Sequence, residues 1–238
     1  MRLVAGALLI LALAGCESTQ AKSARLERSA QKAKHEKGLV ITRDAREVQV
    51  EGATLLQQDG SAATVVELHN RSTRSLVALP IGLTVRDGTG KSVYANDTPG
   101  LDASLVQIPA LAPGQRLAWV NDQITLPAPG KDAVARVGAG GKPGPAQLPQ
   151  MEVTDLKVTT DAGGSVSVVG NVANRSSIAQ KRLIVFVVAR KGERVVAAGR
   201  AIVENLPAGK STNFSAFPIG DPHGAKLSAA APPTVVTQ

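Results

Sequence analysis

The chain has 238 residues, of which 43% are hydrophobic and 19% charged, and this balance is ordinary for a folded protein of one or two domains. It contains one cysteine, which excludes a disulfide framework and a thiolate zinc site. The net charge is +8, but aromatic residues make up only 2%, which argues against the stacking platforms that bind single-stranded nucleic acids.

The N-terminus has the layout of a secretory signal. Arg2 precedes a short apolar run, and small residues follow before Cys16. The run is shorter than the roughly 20 residues that a helix needs to cross a bilayer. The sequence Leu13-Ala14-Gly15-Cys16 resembles the lipobox of bacterial lipoproteins. This resemblance implies removal of residues 1–15, acylation of Cys16 on its sulfur and its amino group, and lipid attachment to the cell membrane or outer membrane; the alternative is an ordinary signal peptide with a free cysteine.

Residues 16–43 are predicted to form a basic tether, either helical or flexible. Ser18 and Thr19 are suitable N-caps, and Gly38 is a suitable stop for a helix. Between residues 17 and 37, basic residues outnumber acidic ones. The tether therefore either contacts the anionic lipid headgroups beside the anchor or acts as a solvated spacer.

Short apolar runs bounded by Gly, Pro, Asn and Asp predict β-strands in two units, 44–137 and 151–238. The intervening segment 138–150 is rich in Gly and Pro and is predicted as a linker. The strands predicted for the first unit are 48–56, 64–69, 79–86, 92–94 and 116–120. Those predicted for the second unit are 151–159, 166–172, 182–190, 194–203 and 212–216.

An internal repeat relates the two units. Asn70-Arg71-Ser72 matches Asn174-Arg175-Ser176, and each triplet follows a predicted strand. Asparagine suits such a turn because its side chain can bond the backbone ahead. A second matching turn contains Gly114 in the first unit and Gly209 in the second. The longer spacing in the first unit indicates an insertion near residues 98–106.

These patterns predict an all-β fold of two immunoglobulin-like antiparallel β-sandwiches in tandem, after a signal peptide and a short tether. The run Val-Val-Gly-Asn-Val-Ala-Asn-Arg-Ser-Ser at 168–177, with the later turn at 206–210, resembles the immunoglobulin-like FxLYD family. The likeness covers residues 151–238 and, more weakly, 48–137. It implies an exported bacterial or archaeal domain of a kind that usually has no known activity.

No motif in the exported part predicts catalysis. The turn before Lys210 and Ser211 lacks the first glycine and the following helix of a phosphate loop. The histidines are far apart in sequence, and calcium would require its oxygen ligands on one compact loop, whereas the aspartates are scattered. We therefore expect a protein that is not an enzyme and has no cofactor and no metal. The histidines and aspartates weighed as candidates for catalysis or metal binding are His35, His69, His223, Asp87, Asp97, Asp102 and Asp122.

Six basic residues flank two central strands of the second unit and are the candidate interaction surface: Lys181, Arg182, Arg190, Lys191, Arg194 and Arg200. They favour an acidic partner, or they protect strand ends from edge pairing. The first functional hypothesis is a lipid-anchored envelope protein that contacts another envelope protein or acts as a spacer, with no nucleic acid and no small-molecule substrate. The alternative is a ligand- or ion-binding lipoprotein, or an enzyme, that uses the insertion and Asp97, Asp102 and Asp122.

Overall fold

Fifteen strands and one four-residue helix make up residues 38–237, the part of the chain that this computed structural model describes. Every strand pair within this range is antiparallel, so the predicted all-β fold is confirmed. The predicted signal peptide, the lipobox with Cys16, and the tether as far as residue 37 lie outside the described residues. No helix between residues 38 and 237 has the length and apolar character to span a membrane.

The first unit contains two sheets. In chain order its elements are β1 (Val48–Gln58), β2 (Ser61–Asn70), β3 (Leu76–Arg86), β4 (Ser92–Ala95), α1 (Ala103–Val106), β5 (Gln107–Leu111), β6 (Arg116–Thr125), β7 (Asp132–Val137) and β8 (Lys142–Pro143). Sheet A has the order β1-β2-β6. Sheet B is built around β3, which pairs with β4, β5, β7 and β8.

The second unit also contains two sheets. Its strands are β9 (Met151–Thr160), β10 (Val166–Asn174), β11 (Gln180–Lys191), β12 (Arg194–Leu206), β13 (Ser211–Ala216), β14 (Ile219–Gly220) and β15 (Lys226–Ala230). Sheet C has the order β13-β10-β9, and sheet D has the order β14-β12-β11-β15.

The four sheets stack in the order B, A, D, C, because sheet D contributes to two hydrophobic cores. Alternate side chains of a strand point to opposite faces. On β11, Ile184, Phe186 and Val188 join the core of the first unit. Their neighbours Leu183, Val185 and Val187 join a separate core with sheet C. The apolar run of β11 is therefore buried on both faces because sheet D lies between sheet A and sheet C.

The repeated asparagines occupy equivalent buried corners. Each is 0% exposed and is the last residue of its strand, β2 or β10. The Asn70 amide donates to the carbonyls of Arg74, Leu111 and Ala112, and its Oδ1 accepts from Ser72. Asn174 repeats this pattern, donating to Ile178, Leu206 and Pro207 and accepting from Ser176. Each side chain thus links the end of its own strand to two other backbone segments, and its own buried amide is fully hydrogen-bonded.

The first half of the segment 138–150 lies against β3. The backbone N–H of Gly138 donates to Pro80 at 2.8 Å, and the N–H of Gly144 donates to Ser75 at 2.8 Å. Between them, β8 pairs with Leu76 and Val77. A Cβ at Gly141 would lie 2.5 Å from Leu79 Cδ2, so glycine is needed for this close approach.

Residues 38–45, which we call the strap, run across the outer face of sheet B. A Cβ at Gly38 would lie 1.7 Å from the carbonyl oxygen of Asp97, so the chain enters the fold in direct contact with the β4–α1 loop. Ile41 packs over Gly82 and Gly138. The Arg43 carbonyl then accepts from the N–H of Ala139 at 2.8 Å. The strap covers a sheet face that would otherwise be open.

Candidate functional site at the junction of the two units

A buried ion pair joins sheet A to sheet D. The Nε of Arg200 donates to Asp122 Oδ1 at 2.9 Å, and the backbone N–H of Arg200 donates to Oδ2 at 2.8 Å. The side chains of Arg200 and Asp122 are only 5% and 8% exposed. A buried charge is tolerated when it is paired and hydrogen-bonded, and both conditions are met here.

The insertion at residues 98–106 forms α1 and extends this network. Asp102 is the N-cap of α1 and accepts from the backbone N–H of Ser104 at 2.9 Å. The Ser104 hydroxyl donates to Asp102 at 2.6 Å and accepts from Arg200 Nη1 at 2.9 Å. Asp102 also accepts from Arg182 at 2.7 Å. The insertion therefore connects the first unit to two arginines of the second.

The environment of Asp102 favours its ionised form. Partial burial acts to raise the pKa of this carboxyl. The hydrogen bonds from Ser104 and the charge of Arg182 outweigh burial and hold the pKa of Asp102 below its ordinary value. The carboxylate is thus charged at neutral pH and is a permanent partner of Arg182.

Two further contacts cross the junction. Arg190 forms an ion pair with Glu67, and both side chains are about one quarter to one third exposed. The backbone N–H of Gly220 donates to Gln58 Oε1 at 3.0 Å. Glu67 lies on β2 and Gln58 on β1, so most of the width of sheet A takes part in holding sheet D.

The six basic residues predicted as an interaction surface fall into two groups. Arg182, Arg190 and Arg200 are paired with first-unit carboxylates as described above. Lys181, Lys191 and Arg194 are exposed, and within residues 38–237 they make no ion pair. Lys191 and Arg194 face each other at the β11–β12 hairpin, whereas Lys181 lies at the other end of β11.

Of the predicted acidic and histidine candidates, Asp102 and Asp122 share one network through Ser104 and Arg200, whereas Asp87, His69 and His223 have other partners. Asp87 accepts from Thr89 and Lys91 in its own turn, and these hydrogen bonds, led by the Thr89 hydroxyl, hold its pKa below the ordinary value. His69 lies 3.4 Å from Glu51, and His223 lies 2.7 Å from Asp221. In the described part of the chain, no three His, Cys, Asp or Glu side chains are grouped as metal ligands would be.

A cleft of about 380 Å³ opens beside α1 at the junction. The first unit contributes β3, the start of α1 and β5, and the second contributes the start of β11 and the C-terminal segment. Its lining is mostly aliphatic, and the charged side chains are Asp102, Lys181 and Arg182. A wider and more polar cleft of about 1170 Å³ lies along 146–153, between the two asparagine corners.

Ser104 and Glu67 are site residues that sequence reasoning does not identify. Neither belongs to a motif, and each acquires its role only when the second unit packs on the first. The available signal was the opposite charge balance of the two units, since acidic residues exceed basic ones in the first and basic residues exceed acidic ones in the second.

No protein-family model matches the chain, and a search of curated proteins finds no match either.

Proposed function

We propose that this protein is a lipid-anchored lipoprotein of the bacterial cell envelope whose β-sandwich units act without catalysis, as a spacer and as a binding surface for another envelope protein. The observation that carries the proposal is the sequence Leu13-Ala14-Gly15-Cys16 at the end of a short apolar run with a positive start. The resemblance to FxLYD domains agrees with this role, since that family occurs on exported proteins.

The packing of the two units supports a spacer. A chain of sandwiches joined by flexible linkers bends at each linker, whereas this junction buries apolar side chains of both units together with an ion pair. The strap ties the entry of the chain to sheet B, which is at one end of the stack.

The outer face of sheet C suits a polar partner. Along β10 this face carries the partly exposed Val169 and Asn171, and Asn171 donates to Asn213 on β13 at 3.0 Å. The strands β9 and β13 are the edges of this sheet. Exposed edges offer backbone hydrogen bonds to an added strand, which is a common mode of peptide recognition.

Fractionation of cells tests the anchor. Cys16→Ser removes the sulfur that would be acylated, and we expect this variant to move from the membrane to the soluble fraction. Ser18→Ala, two residues away, is the matched control and should remain with the membrane. A Cys16→Ser variant that stays in the membrane fraction at the wild-type level would contradict the proposal.

The alternative is a ligand-binding or ion-binding lipoprotein, or an enzyme, that uses the insertion, and its ion-site and active-site forms receive less support from these contacts. Asp102 and Asp122 are engaged by Arg182 and Arg200, and this pairing leaves neither carboxylate available as a free metal ligand. We therefore propose no ion at this place.

A further inference from the structure

The cleft beside α1 has the properties of a small-molecule site. Its volume of about 380 Å³ lies within the range of roughly 300–1,000 Å³ that is usual for ligand pockets. Such pockets are mostly apolar, carry a few polar groups, and occur preferentially where two domains meet. This cleft meets all three conditions, and it does so independently of the lipid anchor.

The walls of the cleft are held in place by hydrogen bonds. On one side, Asp102 caps α1 through the backbone and hydroxyl of Ser104. On the other side, Gln180 is 1% exposed and binds the C-terminal segment, accepting from the N–H groups of Thr234 and Val235 and donating to the Val235 carbonyl at 2.9 Å. A cleft with fixed walls binds a ligand at a lower entropic cost than one that must form first.

The charges around the cleft indicate the kind of ligand. Arg182 is already shared between Asp102 at 2.7 Å and Glu204 at 3.1 Å, so its charge is compensated within the protein. Lys181 lines the same cleft, is exposed, and makes no ion pair within residues 38–237. The lining below these groups is aliphatic: Val77, Ala78, Ala103, Pro109, Ile184 and Val236.

We propose that this cleft binds a small amphipathic carboxylate, with its aliphatic chain between α1 and β11 and its carboxylate against the ammonium of Lys181. Lys181 lines an apolar cleft and has no ion-pair partner among residues 38–237, and such a cation favours a single negative charge over a neutral polar group, because hydrogen bonds between ionised groups are the stronger ones. A ligand with several charges would have to place some of them beside Asp102, which opposes its binding.

The test uses the full chain in its membrane and a photoreactive carboxylate of medium chain length, an octanoate analogue with a diazirine near the end of the chain. After irradiation, mass spectrometry locates the labelled peptides. We expect labels on the segments that carry Ala103 or Ile184, and we expect excess octanoate to compete while octanamide does not.

Two variants define the contacts. Lys181→Gln should lower labelling by about tenfold at subsaturating probe, since a charge-assisted hydrogen bond is lost. Lys191→Gln, at the opposite end of β11, should leave labelling unchanged. Ala103→Leu adds volume at the wall of the cleft and should also lower labelling, and thermal unfolding of each variant reports whether the fold is retained.

The proposal is overturned if labels spread over the surface, if octanamide competes as well as octanoate, or if Lys181→Gln labels like the wild type. These outcomes are distinct from failure of the anchor, because the readout is the position of the label and not the fraction in which the protein is found.

Discussion

Arg200 binds Asp122 through its backbone as well as its side chain. One oxygen of the carboxylate accepts from the backbone N–H and the other from Nε, at 2.8 and 2.9 Å. The pair therefore fixes the position of β12 on sheet A in addition to neutralising two buried charges. A surface ion pair between flexible side chains imposes no comparable restraint.

Breaking this pair should strongly destabilise the protein. Asp122→Ala leaves the Arg200 charge buried and unpaired, and we expect a loss of about 3–5 kcal/mol in the free energy of unfolding. The double variant Asp122→Leu with Arg200→Met should recover part of this loss, because no lone charge remains, while the backbone N–H of residue 200 still lacks its acceptor. Urea denaturation measures both.

The exposed ion pair of Arg116 and Glu51 is the control for the variants of the buried pair. Arg116 is 68% exposed, and the separation in this pair is 2.8 Å, similar to that in the buried pair. Glu51→Ala should cost much less than Asp122→Ala because solvent replaces the lost partner. Equal losses for Asp122→Ala and Glu51→Ala would show that the buried pair does not hold the junction.

The asparagine corners give a second prediction. Asn174→Ala removes the buried amide that links Ile178, Leu206 and Pro207 and accepts from Ser176, so we expect a loss of about 1–3 kcal/mol in the free energy of unfolding. Asn70→Ala should behave alike, because its contacts are equivalent. Asn213→Ala, which removes only an exposed hydrogen bond on sheet C, should change stability by about 0.5 kcal/mol or less. A loss at Asn174 no larger than that at Asn213 would contradict the role given to the corner.

Much of the fold is predictable from the sequence because the inward-facing positions are apolar and the turns are marked by Asn and Gly. The predicted strands at 48–56, 166–172 and 194–203 lie within β1, β10 and β12. The asparagine turns could be found because the same triplet occurs twice. The strands β5, β7 and β15 are absent from the sequence-based prediction. They are short, and each is a strand mainly because it pairs with β3 or β11.

The junction could not be predicted, because its contacts join residues far apart in the chain. The sequence separation is 78 residues for Asp122 with Arg200 and 123 for Glu67 with Arg190. Basic side chains at strand ends have the same sequence pattern whether they face solvent, a partner or another unit. Within the described residues, Arg190 and Arg200 pair with carboxylates of the first unit, and Arg182 pairs with one carboxylate from each unit.

The third test is how the free energy of unfolding changes with pH in the acid range, where Asp102 titrates. The pKa of Asp102 is lower in the folded protein than its ordinary value of 3.8, so ionised Asp102 stabilises the fold above that pH. This contribution is lost as the pH falls below 3.8 and through the lower pKa of the folded state. Wild type should therefore be more stable than Asp102→Asn at neutral pH, and the difference should shrink in acid.

Urea midpoints at neutral and acidic pH measure this convergence. Asp59→Asn is the control, because Asp59 is in an exposed turn with a left-handed backbone that asparagine also adopts. A constant difference between wild type and Asp102→Asn across the acid range would show that the carboxylate is not coupled to folding.

The entry of the strap is a fourth test. A methyl group at Gly38 would overlap the Asp97 carbonyl, which is backbone and cannot move aside as a flexible side chain would. We expect Gly38→Ala to displace the strap and to accelerate hydrogen exchange at the N–H of Ala139, which donates to Arg43. Gly88→Ala, at a position with open space, should leave that exchange rate unchanged.

The central claim is that the stacked units are held at a membrane by lipid on Cys16. The mass of the mature protein extracted from cell membranes tests it most directly. We predict an N-terminal peptide that begins at residue 16 and carries acyl groups on Cys16. A protein that begins at Met1, or one whose Cys16 is unmodified, would contradict the account.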